Sequence, residues 1–147
     1  MSRFVPHAGR ACAFVVLVLA LAACGGGESA PGSTGAAAPD PGARLYVQNC
    51  IACHQRNGEG VPGVQPALAG TASVVGDPRA LLAWVMYGER PASLPKGAYR
   101  GVMPHYAYLK DEELALLLTH VRTNFGNAAA PITPAMVAEV RAARGGR

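Results

Sequence analysis

The chain has 147 residues, half of them hydrophobic, and a formal net charge of +4. The charge is mild and no basic stripe is interleaved with aromatics, which excludes nucleic-acid binding as a working class. No paired carboxylates and no nucleophile–base set stand out, so the composition offers nothing for an acid–base or covalent enzyme to work with.

In chain order, the first segment reads as an export signal. Arg3 and Arg10 precede the apolar run from Ala11 to Cys24. That run is short for a membrane span of about 20 apolar residues and suits a signal core. It ends in Leu21-Ala22-Ala23-Cys24, the pattern of a bacterial lipobox, so residues 1–23 are expected to be cut away and Cys24 lipidated. An uncleaved helical anchor is the alternative. Either way the expectation is a protein exported to the periplasmic side of a bacterial membrane and held there through a lipid anchor. Removing residues 1–23 takes two arginines and no acids, leaving +2. Residues 24–41 are Gly-, Pro- and Ala-rich, cannot bury a core, and read as a flexible tether.

The folded part is expected over 42–126, with a C-terminal extension and short helix over 127–147. Gly42–His54 reads as helix in its first two turns. Gln55–Gly70 is punctuated by Gly and Pro and reads as loop. Asp77–Gly88 carries an Asp N-cap, Pro at the first helical position and a closing Gly. Glu89–Leu109 reads as loop again. Lys110–Gly126 has acids in its first turn and Leu114, Leu117, Leu118, Val121 and Phe125 at helical spacing. No segment alternates as a strand would, so the fold class is all-α. A domain of about 85 residues with such long loops has too little core to be comfortable alone, and a large apolar cofactor would fill it.

The motif that decides the chemistry is Cys50-Ile51-Ala52-Cys53-His54. With Cys12 in the signal and Cys24 lipidated, Cys50 and Cys53 are the two thiols left in an oxidising compartment, where one disulfide is the usual outcome. A structural zinc site would need a fourth ligand such as His105 or His120. A redox dithiol would want a βαβ context that is absent. A single covalently attached haem c accounts for every residue: two thiols add to the two vinyl groups and His54 coordinates the iron.

On these residues the domain resembles a class I, mono-haem cytochrome c, most like the cytochrome domains of bacterial membrane alcohol and aldehyde dehydrogenase complexes. The resemblance covers roughly residues 42–141. It rests on Gly42 and Tyr46 ahead of Cys50, on Cys50–Gly70 with its "PALAG" end, on Met103-Pro104, and on Asp111–Asn127 with the tail "APITPAMVAEVR". It implies a few short helices wrapped around one haem, electron transfer rather than catalysis, and redox partners such as a dehydrogenase, an oxidase or another cytochrome. Permanent membership of a dehydrogenase complex is the variant of that reading.

The resemblance also implies roles. Pro66, twelve residues after His54, would offer its carbonyl to the ligand histidine, and Leu68 would pack beside the haem. For the sixth ligand, Met86 sits in an apolar helix and Met136 in the tail, whereas Met103 lies in a loop able to cross a haem face. Met103 is therefore expected to ligate, raising the potential relative to a second imidazole. His105 is its neighbour and competitor. An open sixth position, with His105 distal, would make the protein a ligand-binding or peroxidase-like haem protein instead.

His120 stands where the family commonly has an aromatic residue, and is expected to pack on Gly42 and Tyr46. Asp111 is expected to cap the last helix in place of Lys110. Trp84, Tyr87, Tyr99 and Arg100 are candidates to meet the propionates. Arg56, Lys96 and Arg100 are candidates to steer an acidic partner. Arg141, Arg144 and Arg147 read as a solvated helix face and end.

Overall fold

The structure, a computed structural model, describes residues 40–146. The expected signal, Cys24, the tether up to residue 39 and Arg147 lie outside the described residues. Six helices occur among those described: α1 Pro41–Asn49, α2 Ile51–His54, α3 Ala72–Val75, α4 Pro78–Tyr87, α5 Asp111–Thr123 and α6 Pro134–Gly145. There is no strand among them, only an isolated antiparallel bridge between Val61 and Gln65. None of these helices is long and apolar enough to cross a membrane.

The helix ends follow from local chemistry. Asp40 caps α1 by accepting from the amides of Gly42 and Ala43 at 3.0 and 3.2 Å. Asp77 caps α4 through Arg79 N–H at 2.9 Å, and Gly88 closes it in the left-handed region, each cap being worth about 1 kcal/mol. α5 starts differently from expectation. Glu113, not Asp111, takes the Lys110 amide, at 2.9 Å. Asp111 is already helical, and its carboxylate receives Arg141 at 2.6 Å. The helix expected in the first two turns of Gly42–His54 is present as α1, and the four-residue α2 and α3 are additions to the expected elements.

α1 lies across α5 because residue 42 has no side chain. A Cβ there would stand 2.5 Å from the Leu116 carbonyl and 2.8 Å from His120 Cβ. His120 fills the crossing as expected: its ring lies 5.7 Å from Tyr46 and 5.8 Å from Phe125, and its Nδ1–H donates to Asp40 at 2.9 Å. The core has two parts. Tyr46, Leu68, Val74, Leu117 and Val121 gather near α1. Leu82, Met86, Leu114, Leu118 and Val137 gather where α4, α5 and α6 meet. Each of the fully buried leucines contributes about 1.5–3 kcal/mol by leaving water.

Two buried polar side chains tie loops to α5. Arg122, 2% exposed, donates to the carbonyls of Ala130, Val74 and Gly76 at 2.7, 2.5 and 3.0 Å. Asn127 donates to Leu68 and Val121 at 3.1 and 2.9 Å and accepts from Gly70 at 2.7 Å. A buried donor needs such a partner, and here the partners are the backbone of irregular segments.

Candidate functional site: a cleft between Cys50 and Met103

α1 and α2, the loop 55–70, α3, α4 and the loop 89–109 line a partly open, mainly apolar cleft. Cys50, Cys53 and His54 line it together with Pro66 and Leu68, and Met103 lines it from the 89–109 loop. Val74 and Leu94 add apolar surface. The cleft therefore brings together Cys50, Cys53, His54, Pro66, Leu68 and Met103, the residues expected to attach, ligate or pack on the cofactor.

The Cys50–His54 wall is built locally. Cys50 is both the last residue of one helix and the cap of the next, and its carbonyl receives His54 N–H at 2.9 Å. That single turn points both sulfurs and the ring into the cleft. His54 is buried, and its Nδ1–H donates to the Pro66 carbonyl at 3.0 Å. Burial lowers its basicity, with the Pro66 bond opposing, so the ring is neutral and its Nε2 lone pair is free to bind a metal. The Pro66 carbonyl arrives because the loop folds back: Gly60 N–H meets the His54 carbonyl at 3.1 Å and Leu68 N–H meets Gly58 at 2.7 Å. Gly60 has φ +67°, and a Cβ would strike the Gln65 carbonyl at 2.6 Å, so no other residue closes this turn. Cys50 and Cys53 are both free thiols and half-buried. Burial, then the charge on Cys53, pushes the Cys50 thiol up to about 12.

The Met103 wall is built from distant parts. Tyr106 N–H donates to Val85 at 3.0 Å, and its hydroxyl donates to the Asn49 carbonyl at 2.6 Å, joining this loop to the end of α1. Burial pushes the Tyr106 phenol to about 12, which keeps it a donor. Met103 itself is half-buried against the α4–α6 core. Val102 beside it is 88% exposed.

The other candidates separate. His105 is exposed, outside the cleft walls, with its ring against Gly88. His120 is engaged with Asp40. Neither supplies the fourth ligand that a zinc site at Cys50, Cys53 and His54 would require. Of the propionate candidates, Trp84 and Tyr99 line the cleft. Tyr87 does not: it carries the Arg144 guanidinium 4.5 Å above its ring on another face. Arg100 is exposed and not a cleft wall.

Arg90 is the residue the sequence reading missed. It lines the cleft and stacks 4.9 Å over Trp84. The signal was its place two residues after the Gly88 stop of α4, the helix that carries Trp84.

Arg141 is a correction. It is not a solvated face residue: only 31% of its side chain is exposed, and it donates to Ala107, Leu109 and Asp111. Arg144, at the surface, pairs with Glu89 at 2.5 Å.

A helical domain in which a Cys-x-x-Cys-His turn and a loop methionine line one apolar cleft fits the class of haem-binding electron-transfer proteins. The family model described as "Cytochrome c" matches residues 39–125, more than half of the chain. This chain belongs to the cytochrome c family, with covalent haem c and electron transfer, not catalysis, as its chemistry. It is 42% identical over 92 residues to "Cytochrome c-552" of Thermus thermophilus, covering 59% of this chain and 70% of that one. It is 33% identical over 114 residues to the "Alcohol dehydrogenase (quinone), cytochrome c subunit" of Gluconacetobacter polyoxogenes. It is also 33% identical over 109 residues to the "Fructose dehydrogenase cytochrome subunit" of Gluconobacter japonicus. Those two matches cover 74% and 69% of this chain but span only 24% and 22% of the relatives' own length. The expected likeness to dehydrogenase-associated cytochromes is thus present.

Proposed function

We propose that this chain is a membrane-tethered electron carrier with one haem c attached to Cys50 and Cys53 and ligated by His54 and Met103. The observation that carries this reading is the single cleft lined by both thiols, the imidazole and the thioether. The donor set fits the group: two sulfurs three residues apart, a neutral buried imidazole, and a thioether from the 89–109 loop, in an apolar enclosure. When bound, the group supplies one-electron Fe(II)/Fe(III) chemistry. The chain's own residues do the rest. Pro66 orients the His54 ring by accepting its Nδ1–H, which raises the ligand's basicity. Met103 favours the reduced state, because a thioether is a soft, neutral ligand. Leu68, Val74 and Leu94 exclude water from the cleft. Arg90, Trp84 and Tyr99 would offer donors and positive charge to the carboxylates of the group, which need such partners when desolvated.

Cys24 would carry the lipid and residues 25–41 the tether, on the periplasmic side of a bacterial membrane. The Leu21-Ala22-Ala23-Cys24 pattern supports this. The partner class we propose is a dehydrogenase as donor and an oxidase or another cytochrome as acceptor. The support is the likeness to cytochrome subunits of quinone alcohol, fructose and gluconate dehydrogenases. Arg56, Lys96 and Arg100 are all exposed and would steer an acidic partner.

The test is the absorption spectrum of the haem-loaded protein, oxidised and reduced, with and without carbon monoxide. A c-type spectrum with a near-infrared methionine–iron band and no response to carbon monoxide is expected. Loss of that band together with carbon monoxide binding would overturn Met103 ligation and favour an open, ligand-binding site.

A further inference from the structure

The family match ends at residue 125, yet α6, beyond it, reaches back toward the cleft. Its Arg141 guanidinium donates through Nη1 to the Ala107 carbonyl at 2.6 Å and through Nη2 to the Leu109 carbonyl. Through Nε it donates to Asp111 at 2.6 Å. Those acceptors close the segment that begins at Met103 and ends at the first turn of α5. The guanidinium fork is planar and rigid, so three bonds to it fix three points of backbone and helix relative to one another. The Met103 side of the segment is tied at Gly101, whose N–H donates to the Val64 carbonyl at 2.8 Å, and at Tyr106, whose N–H donates to the Val85 carbonyl at 3.0 Å; between those ties Val102 is 88% exposed, and Pro104 and His105 are exposed.

We propose that Arg141 is a positioning residue that clamps the 103–109 loop and thereby keeps the Met103 thioether on the iron. The inference rests on the Met103 ligation proposed above. Without the clamp, the loop opens locally while the rest of the fold persists, because local opening draws on the least tied segments first. Conserving charge alone is not enough: an ammonium cannot span two carbonyls and a carboxylate in one plane.

The test uses the haem-loaded chain and reads the ferric near-infrared band, the rate of carbon monoxide binding to the ferrous protein, and the melting temperature. Arg141→Gln is expected to weaken the band and speed carbon monoxide binding about tenfold, as loss of charge-assisted bonds to a half-exposed loop would. Arg141→Lys falls between it and the wild type. Thr119→Val is the control. It removes the Thr119 hydroxyl that bonds both Ile132 N–H and Ile132 C=O, at 2.9 and 3.1 Å, ahead of α6. It should lower the melting temperature and leave band and rate unchanged.

If Arg141→Gln melts lower but keeps the wild-type band and rate, Arg141 is only structural and the proposal is overturned. Should Arg141→Gln yield no haem-loaded protein, Arg141→Lys decides: an intermediate rate supports the clamp and a wild-type rate overturns it. A wild type that lacks the band and binds carbon monoxide removes the Met103 reading, and the clamp with it. A wild type with the band, lost in Met103→Ala but untouched in both Arg141 variants, removes the clamp alone.

Discussion

The two walls of the cleft are made by opposite means. The His54 wall comes from one turn of chain: Cys50, Cys53 and His54 are adjacent, and one carbonyl, twelve residues on, fixes the ring. The Met103 wall comes from four places. α4 supplies the Val85 carbonyl, α1 the Asn49 carbonyl, α5 its Asp111, and α6 the Arg141 fork. A wall built locally survives small disturbances elsewhere in the fold. One built from distant pieces feels each of them. On the function proposed above, the first wall would carry attachment and the second the adjustable redox tuning.

The largest effect should come from breaking the local wall. Cys50→Ser with Cys53→Ser is expected to abolish covalent haem, read as complete loss of haem from the chain after acid–acetone extraction. Retention of haem under that treatment would contradict the assignment. The next tests whether the tie beside that wall is as stiff as its hydrogen bonds suggest. Asn127→Ala leaves the Leu68 and Val121 carbonyls and the Gly70 amide without their partner. It should cost about 2–4 kcal/mol in urea unfolding, as breaking a buried hydrogen-bond network does.

Met103→Ala should do the reverse. It is expected to lower the reduction potential and admit carbon monoxide, while the unfolding midpoint moves by less than in Asn127→Ala, since Met103 is only half-buried. If the two variants ranked the other way in stability, the contrast between the walls would fail. The smallest effect lies at the edge of the domain. Slight burial works against it, but bonds from His120, Gly42 and Ala43 hold the Asp40 carboxyl below its ordinary value. A depressed acid contributes stability above its unfolded pKa of about 3.9 and loses it as pH falls through the folded value. Asp40→Asn should therefore lower stability slightly at neutrality, where the carboxylate contributes in full, flatten the acid limb of the stability–pH curve below about pH 4, and converge on the wild type at still lower pH. An unchanged acid limb would show that the cap carries no net charge effect.

How much of this was legible differs along the same line. α4 was readable because its start and stop are written in adjacent residues, Asp77-Pro78 and Gly88. The Cys50–His54 turn was readable because the chemistry needs those residues in that spacing. The fit of His120 against Gly42 and Tyr46 followed from the family pattern, and the crossing leaves no room for anything larger at residue 42. α3 was not readable, since four residues carry too little period to show. Arg141 was misread because an arginine on a helix end is usually solvated, and nothing near it in sequence names the carbonyls 32 and 34 residues earlier that it meets.

By itself the sequence determined the class of the protein, its cofactor chemistry and the grouping of Cys50, Cys53 and His54 on one wall, because those depend on side chains within a turn or two of each other. Only the tertiary structure decided that Arg90 joins the cleft, that His105 stays out of it, and that α6 closes on the Met103 loop. Each of these depends on backbone carbonyls and faces brought together from distant parts of the chain. A carbonyl is the same in every residue, so no residue name announces which one a distant side chain will find.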